Sequence, residues 1–306
     1  MKMQHTLNTT VRFNGIGLHT GCNINVCIQP APVNTGIIFK RVDLLGGPEV
    51  KAVSANVIAT SYATSLGRGE AAVSTIEHLM AAFYGVGVDN AIVEIDAAEV
   101  PIMDGSASFF IELLEDAGLR AQSVSRKYLV IKKPIKVMDR DKYVLILPSD
   151  DRKTSIDYHI DFAHTFLSKQ SFSWLFSRDV FRSEIGNART FGFLRDVEAL
   201  KANGLAKGGS LNNAVVIGET EILNEGGLRH PDEFVRHKVL DLMGDISLVG
   251  APVVGRIVAH RSGHGLNHKL VQEILRRPGR WELTDNLEPE DTSTLMSGFM
   301  EKLIAV

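Results

Sequence analysis

Cysteine is scarce in this 306-residue chain, which contains only Cys22 and Cys27. The two residues lie in a segment where Ile24, Val26 and Ile28 alternate with polar residues, as in a β-strand. Successive side chains of a strand point to opposite faces, so an odd offset places the two thiols on opposite sides and we expect no disulfide between them. Free thiols are typical of a reducing compartment, and we therefore predict a cytoplasmic location.

Long apolar runs, internal repeats and an excess of charge of one sign are also missing. No stretch approaches the ~20 apolar residues of a membrane-spanning helix, and the first residues lack the apolar run of a signal peptide. We therefore expect no stable insertion into a membrane. The formal net charge of −3 gives no electrostatic reason to expect nucleic-acid binding. No self-complementary patch is evident, which favours a monomer.

The composition does provide for a buried core, because 44% of the residues are hydrophobic and 23% are charged. Strand patterns open each half of the chain and helix patterns follow them. This order favours an α+β fold over a doubly wound sheet. The polar segment at residues 122–127 separates the two series, so we predict domains at residues 1–126 and 127–306.

Helix patterns provide the frame for the chemically interesting residues. In the first half they begin near Ser74 and at residue 106, and the second of these ends before Gly118. In the second half we predict helices over residues 196–202 and 231–242, and the end of a third helix at residues 273–277.

The helix predicted around residues 231–242 brings two metal-binding side chains together. His237 and Asp241 are four residues apart, so they lie on one face of a helix, and Asp245 extends that face by one more turn. An imidazole and a carboxylate placed in this way can bind zinc. The same spacing is common in solvated pairs on helix surfaces, so it does not establish a metal site by itself.

Residues 74–78, Ser-Thr-Ile-Glu-His, combine a helix start with two reactive side chains. Ser74 followed three residues later by Glu77 matches the capping box, in which the two side chains satisfy backbone N–H groups of the first turn. His78 next to Glu77 also matches a metallohydrolase arrangement, in which one side chain binds metal and the other transfers protons. The pattern leaves both interpretations of Glu77 open.

Three further segments carry candidate groups. Gly263 and Gly265 flank His264, which indicates a loop whose backbone approaches a ligand closely. The hydroxyl of Thr190, in residues 189–193, is suited to donate to a developing oxyanion. Residues 101–106 predict a turn that leads into an N-capped helix. Spacing alone does not bring these segments together in space.

The five segments described above, taken in their order along the chain, resemble five segments of the bacterial UDP-3-O-acyl-N-acetylglucosamine deacetylases. The similarity extends from near the N-terminus to at least Trp281, and its most specific stretches are residues 74–78, 88–90, 101–107, 189–196, 209–216, 234–245 and 262–270. The resemblance implies two domains of similar topology. Each would be a β-sheet layered against α-helices and would carry a small insert.

By motif match, the resemblance implies a Zn²⁺ ion bound by His78, His237 and Asp241, with Glu77 as the general base. Three protein ligands leave the fourth zinc position for water, as a catalytic site requires. Two neutral imidazoles and one carboxylate leave the centre with a net positive charge, which lowers the pKa of that water.

The resemblance further implies that His264, held by Asp245, acts as a cation or a general acid, because the amine leaves only when it is protonated. Thr190 would contact the tetrahedral oxyanion. The implied reaction is hydrolysis of the acetamide of UDP-3-O-(3-hydroxyacyl)-N-acetylglucosamine, the committed step of lipid A biosynthesis. The implied partner is therefore a small-molecule UDP-acyl-sugar.

The resemblance also implies substrate contacts. Lys142 corresponds to a basic residue at the nucleotide end, and residues 194–216 would carry a hydrophobic passage for the acyl chain. Arg261 stands where many relatives have Lys, and a guanidinium can contact phosphate but cannot supply a proton. The implied substrate-binding set is Lys142, Phe191, Phe193, Gly209, Lys238 and Arg261.

Two other functions use part of the same residues. A non-catalytic binder of nucleotide sugars, stabilised by zinc, would keep the three metal ligands but would not need Glu77 or His264. A related zinc amidase would act on a different acyl-sugar or on a peptide. Turnover of the UDP-sugar substrate, measured with and without a chelator, separates these functions from the deacetylase.

Overall fold

The structure, a computed structural model, describes residues 2–164, 167 and 169–287 of a mixed α+β protein, in agreement with the predicted fold class. The elements of the first half are β1 (Met3–Leu7), β2 (Val11–Ile16), β3 (Asn23–Pro30), β4 (Ile37–Arg41), β5 (Glu49–Lys51), β6 (Val57–Ala59), β7 (Ser65–Arg68), β8 (Ala71–Val73), α1 (Glu77–Val86), β9 (Ala91–Ile95), α2 (Ser108–Ala117) and β10 (Leu119–Ser125).

The second half, like the first, opens with a series of strands and then alternates helices with strands. Its elements are β11 (Tyr128–Ile131), β12 (Ile135–Asp139), β13 (Lys142–Leu147), β14 (Thr154–Asp161), β15 (Lys169–Leu175), α3 (Arg178–Val180), β16 (Phe191–Phe193), α4 (Leu194–Ala202), β17 (Val215–Ile217), α5 (Glu233–Ser247), β18 (Val253–His260), α6 (His264–Arg276) and β19 (Trp281–Thr284).

Each half is built on a mixed sheet. In the first half the strand order is β2-β3-β9-β4-β5, with β4 parallel to β9. In the second half β18 lies centrally, antiparallel to β13 and parallel to β11 and β14. A small sheet of β6, β7 and β8 precedes α1, and the β16–β17 pair with α4 precedes α5, as expected for a small insert in each half.

The polar segment at residues 122–127 is largely strand rather than linker. Strand β10 pairs with β1 and ends at Ser125, and β11 begins only three residues later at Tyr128. Buried side chains of both halves, such as Leu79 and Leu240, belong to one hydrophobic cluster. The division into domains at residues 1–126 and 127–306 stays a prediction.

Helix α1 of the first half packs against α5 of the second half. The helices approach closely at Gly244, where an added Cβ would lie 2.1 Å from the backbone oxygen of Glu77. Only glycine permits such an approach of two backbones, although it lowers intrinsic helix stability. This contact places the beginning of α1 against the turn of α5 that carries Asp241 and Asp245.

The predicted absence of a disulfide is confirmed, because Cys22 and Cys27 are both free. Helices of the described residues include none that combines the length and the apolar character needed to cross a bilayer.

Candidate active site

A cavity of about 640 Å³ lies where α1, α5 and the beginning of α6 meet. It is lined by most of the site residues predicted from the sequence: Glu77, His78, Lys142, Thr190, Phe191, Phe193, His237, Lys238, Asp241, Arg261 and His264. Asp245 is buried behind His264. Gly209 lies in the turn after α4 next to Leu18, which does line the cavity.

The three predicted metal ligands come together across the α1–α5 contact. The Nε2 atoms of His78 and His237 lie 3.6 Å and 3.3 Å from Oδ1 of Asp241. One ligand atom of each side chain lies within 4.8 Å of those of the other two, and all three residues are buried. The helical spacing of His237 and Asp241 is confirmed, because both lie on the same face of α5.

The surroundings of His237 favour a neutral ring with a free Nε2 lone pair. Its Nδ1 donates to the backbone oxygen of Ala188 at 3.0 Å, since a carbonyl can only accept. Burial lowers the pKa of the His237 imidazole to about 4, against the opposing effect of Asp241. A ring that donates from one nitrogen and presents a lone pair on the other has the usual form of a metal-binding histidine.

His78 is the second imidazole of the cluster. Its ring stands nearly perpendicular to that of His237, with 4.9 Å between the centroids. Its Nδ1 is buried and has no hydrogen-bond partner among the described residues. A buried imidazole with so few partners costs free energy, and a ligand on Nε2 would compensate part of that cost.

Asp241 stays ionised at the centre of the cluster. Burial raises the pKa of its carboxyl group, but His237, Lys238 and His264 outweigh burial and hold the pKa well below its usual range. The ammonium group of Lys238, one turn earlier on α5, donates to Oδ2 of Asp241 at 2.5 Å. Oδ1 therefore remains the oxygen that faces the two imidazoles.

The capping-box interpretation of Glu77 is wrong. Ser74 donates its hydroxyl to the backbone oxygen of Ala98, and no side chain caps α1. Oε2 of Glu77 instead accepts from the backbone N–H of Thr64 at 3.0 Å. Glu77 is buried in the cavity wall, and burial raises the pKa of its carboxyl group even though His264 and His78 oppose the effect. The side chain therefore lines the cavity and does not cap its own helix.

The prediction of a loop around His264 is also wrong, because His264 is the first residue of α6 and Gly263 is the N-cap. Its Nδ1 donates to Oδ2 of Asp245 at 2.8 Å, and its Nε2 lies 4.0 Å from both Oε1 of Glu77 and Oδ2 of Asp241. Burial lowers the pKa of this imidazole, but Asp245, Asp241 and Glu77 together raise it to about 9. His264 is thus a cation at neutral pH.

The position of Thr190 depends on the turn at residues 101–106. Its backbone N–H donates to the oxygen of Gly105 at 2.7 Å, and its own oxygen accepts from Val215 at 2.8 Å. Gly105 has a left-handed φ of 85°, and an added Cβ would lie 2.1 Å from the oxygen of Asn213. The turn predicted there leads into α2, which begins at Ser108. It therefore also holds the Thr190 segment against the cavity.

The far side of the cavity is aromatic and basic. Phe162 makes edge contacts with Phe191 and Phe193, at centroid distances of 5.8 Å and 5.7 Å. Lys142 and Arg261 line the same side, and Arg261 pairs with Asp141 at 2.5 Å. This wall provides flat apolar surfaces next to cationic groups.

Several residues of the site are absent from the sequence-based predictions. Thr64 and Asn267 donate to Asp245, Ala188 accepts from His237, and Phe162 and Leu18 line the cavity. Apart from Asn267, three residues after His264, these residues have no motif spacing that connects them to the cluster. Their proximity arises from the tertiary fold.

Comparisons with known proteins agree with this geometry. A profile of the family described as UDP-3-O-acyl N-acetylglycosamine deacetylase matches residues 4–276. Proteins named UDP-3-O-acyl-N-acetylglucosamine deacetylase are similar over nearly their whole length. The protein of Citrifermentans bemidjiense is 51% identical over 285 residues, which is 93% of this chain and 93% of that protein.

Two more distant relatives carry the same name. The Myxococcus xanthus protein is 49% identical over 280 residues, covering 92% of this chain and 88% of its own length. The Pseudomonas entomophila protein is 44% identical over 308 residues, covering 100% of both chains. The chain therefore belongs to the UDP-3-O-acyl N-acetylglycosamine deacetylase family, and it is an enzyme of the hydrolase class.

Proposed function

We propose that this protein is a zinc-dependent deacetylase that hydrolyses the acetamide of UDP-3-O-(3-hydroxyacyl)-N-acetylglucosamine, the committed step of lipid A biosynthesis. The observation that carries the proposal is one cavity in which a buried His78–His237–Asp241 cluster adjoins a carboxylate and a protonated imidazole. Metal ligands, a base and an acid are the three components that metal-assisted amide hydrolysis requires.

The donor set fits zinc. Two imidazole nitrogens and one carboxylate oxygen are usual zinc ligands, and three protein ligands are usual at catalytic zinc sites. Nε2 of His237, which carries a lone pair, lies 3.3 Å from Oδ1 of the ionised Asp241, so one ion could contact both atoms. When bound there, Zn²⁺ would lower the pKa of a water molecule in its open position and polarise the acetamide carbonyl.

Glu77 acts as the base in the first step. Its carboxylate accepts a proton from water while the water oxygen forms a bond to the acetamide carbon. The carboxyl pKa, raised by burial, makes this carboxylate a better proton acceptor than an exposed one. The backbone N–H of Thr64 holds Oε2, so Oε1 is the oxygen directed toward His264 and the reacting groups.

His264 and Thr190 act on the charges that then develop. The Thr190 hydroxyl donates to the oxyanion of the tetrahedral intermediate. The carbon–nitrogen bond breaks as the imidazolium of His264 delivers a proton to the leaving nitrogen. Glu77 then returns the proton that it took from water to His264, and the acetic acid gives up its own proton to the amine. One water is consumed, and the products are acetate and the protonated sugar amine.

The remaining wall of the cavity binds the substrate. Lys142 and Arg261 attract the negatively charged diphosphate, and Lys238 contributes a third cation close to the reacting groups. Phe191 and Phe193 contact the sugar and the beginning of the acyl chain. The acyl chain continues along residues 194–216, where Gly209 allows a close approach. We propose that the enzyme acts as a monomer in the cytoplasm, where its two free thiols are stable.

Turnover of the UDP-acyl-sugar tests the proposal. Purified protein should contain about one zinc ion per chain, lose activity when a chelator removes the ion, and regain it when zinc is added. Glu77→Gln should bind the metal and the substrate but lower kcat by roughly 10²- to 10⁴-fold, because the amide cannot accept the proton.

The two competing functions give different results. A non-catalytic binder would retain the UDP-acyl-sugar without releasing acetate, and Glu77→Gln would then change nothing measurable. An amidase of other specificity would release acetate from other acylated amines faster than from the UDP-acyl-sugar. Full turnover by the metal-free protein would contradict the proposed mechanism.

A further inference from the structure

We propose that Thr64 is a positioning residue, which holds Asp245, and through it His264, in a fixed place relative to Glu77. The inference rests on the proposed function, because it assigns Thr64 a part in the same reaction. Thr64 does not touch the substrate in this proposal. It acts by fixing the distance between the base and the acid.

The contacts of Thr64 carry the inference. It ends the connection between β6 and β7, and its side chain is 1% exposed. Its backbone N–H donates to Oε2 of Glu77 at 3.0 Å, and its hydroxyl donates to Oδ1 of Asp245 at 2.6 Å. One residue therefore donates to both carboxylates, one at the beginning of α1 and the other in α5.

The hydroxyl of Thr64 is important because Asp245 accepts hydrogen bonds on both of its carboxylate oxygens. Oδ2 of Asp245 accepts from Nδ1 of His264 and from Nδ2 of Asn267, both at 2.8 Å. Oδ1 accepts from Thr64. Donors on both oxygens fix the rotation of the carboxylate. Asp245 is 1% exposed, so bulk water is poorly placed to replace a donor lost from Oδ1.

The backbone keeps the hydroxyl in place. The oxygen of Thr64 accepts from the N–H of Ile76 at 3.4 Å, directly before α1. Two residues earlier, Tyr62 adopts a left-handed φ of 64°, so the connection turns sharply before it reaches the cavity wall. Thr64 is thus attached by its backbone to the beginning of α1, which carries Glu77, and by its side chain to Asp245 on α5.

A purely structural role is the competing explanation, and a matched threonine separates the two. Thr154 is also buried, and its hydroxyl donates to the oxygen of Val253 at 2.6 Å, away from the cavity. Thr64→Val and Thr154→Val each remove one buried hydroxyl while keeping the shape of the side chain. Both should lower the melting temperature, but only Thr64→Val should change the chemical step.

The kinetic experiment compares Thr64→Val, Thr64→Ser and Thr154→Val in the zinc-loaded enzyme. Thr64→Val should lower kcat by about tenfold to a hundredfold, with KM and zinc content near those of the wild type, because the loss falls on a hydrogen bond to a buried charge. Thr64→Ser restores the donor and should recover most of kcat. A wild-type kcat for Thr64→Val, or no recovery with Ser, would overturn the inference.

A double-mutant cycle locates the effect. If Thr64 acts through Asp245, Thr64→Val should cost little further kcat when it is added to Asp245→Asn. Fully additive losses would mean that Thr64 acts elsewhere, and the inference would be wrong.

A spectroscopic measurement keeps the inference separate from the proposed function. The Nδ1–H proton resonance of His264, assigned by its loss in His264→Gln, reports the hydrogen bond to Asp245 in the metal-free protein. It should shift in Thr64→Val, return in Thr64→Ser and stay unchanged in Thr154→Val. An unchanged resonance in Thr64→Val overturns the inference even if the enzyme turns over as proposed. Wild-type protein that does not deacetylate the UDP-acyl-sugar contradicts the proposed function instead.

Discussion

His237 and His264 line the same cavity, yet their Nδ1 atoms donate to different groups. His237 donates to the neutral carbonyl of Ala188, and burial lowers its pKa to about 4. His264 donates to the carboxylate of Asp245, and despite burial its pKa is raised to about 9 by Asp245, Asp241 and Glu77. One side of the cavity therefore has a neutral imidazole and the other an imidazolium.

The difference shows that burial alone does not decide the charge of a histidine. The His237 ring is buried and the His264 ring is only 11% exposed, but a carboxylate stabilises the protonated ring by both charge and hydrogen bonding, whereas a carbonyl fixes a tautomer without adding a charge. In this site the group that accepts from Nδ1 decides what each ring is suited to do. The carbonyl of Ala188 leaves His237 suited to bind a cation, and the carboxylate of Asp245 leaves His264 suited to donate a proton. Substitutions at the rings and at their acceptors test that comparison.

Replacing each ring by glutamine should have the largest effect and should separate the two roles. His237→Gln removes a metal ligand, so the protein should lose most of its metal and nearly all turnover. His264→Gln should keep about one metal ion per chain while kcat falls by roughly 10²- to 10⁴-fold. Metal analysis together with kcat measurements tests both statements. Equal loss of metal in the two variants would contradict the division of roles.

Removing the charge next to His264 should make the two rings more alike. Asp245→Asn keeps the shape of the acceptor but removes the charge that raises the His264 pKa, so burial should lower that pKa. Because the protonated ring is the active form in the proposed mechanism, turnover should be lost as pH rises through this pKa, and the basic limb should move to lower pH. We expect kcat at neutral pH to fall about tenfold to a hundredfold, with metal retained.

The acidic limb provides the control and should move less than the basic limb, because Asp245 is the smallest of the charges that shift the pKa of Glu77, the proposed base. A pH profile of kcat for Asp245→Asn and the wild type provides both limbs. An unmoved basic limb would show that a group other than His264 sets it.

Separating α1 from α5 should disturb both sides of the cavity together. In Gly244→Ala the new methyl group would meet the backbone of Glu77, and relief requires the helices to move apart. Such overpacking should destabilise the protein by about 1–3 kcal/mol, and metal affinity and kcat should both fall. Gly279→Ala is the matched control, because its Cβ meets nothing within 4 Å. Wild-type metal affinity in Gly244→Ala would show that the site does not depend on this contact.

A substitution at Glu233, which holds the segment that supplies the carbonyl for His237, should have the smallest effect on turnover. Glu233, one turn before His237 on α5, accepts from the backbone N–H and from Nε of Arg189, next to Ala188. Burial raises the pKa of Glu233, but the hydrogen bonds from Arg189 and Arg229 outweigh it and lower the pKa below 4.5. The ionised carboxylate therefore stabilises the fold above pH 4.5, and this contribution is lost as pH falls through the lowered pKa.

Glu233→Gln should accordingly reduce the free energy of unfolding at neutral pH by roughly 1–3 kcal/mol and flatten its dependence on pH below 5. Denaturant unfolding at pH 7 and at pH 4 measures both quantities. If the variant and the wild type lose stability equally on acidification, Glu233 is not the responsible group.

The helical part of the site could be predicted from the sequence because helix geometry is local. The spacing of His237, Asp241 and Asp245 places them on one face of α5, and the structure confirms that face. The two errors, at Glu77 and His264, have different physical reasons. At Glu77 a distant partner, Thr64, determines the side-chain contact, whereas the capping pattern considers only near neighbours. At His264 the flanking glycines favour a loop, but Gly263 is the N-cap of α6 and the helix begins at His264.

The long-range contacts could be identified only from the folded structure. Nothing in the spacing of residues indicates that Gly244 contacts the backbone of Glu77 or that the oxygen of Ala188 accepts from His237. These contacts join segments far apart in the chain, so they depend on how the sheets and helices pack. The resemblance to a known family implied the residues that we propose to be chemically active and the pairing of His264 with Asp245, but it did not indicate the contacts made by Thr64, Ala188 and Gly244.

The α1–α5 contact also has a consequence for the lifetime of the protein. The three proposed metal ligands lie on both helices, so an ion can bind all of them only while the helices are packed together. Binding only to the folded state stabilises it, by ~2.7 kcal/mol when free metal is a hundredfold above Kd. If zinc is the ion, as we propose, its supply in a cell should govern how long each molecule survives proteolysis as well as how fast it works, and zinc starvation should deplete the enzyme itself.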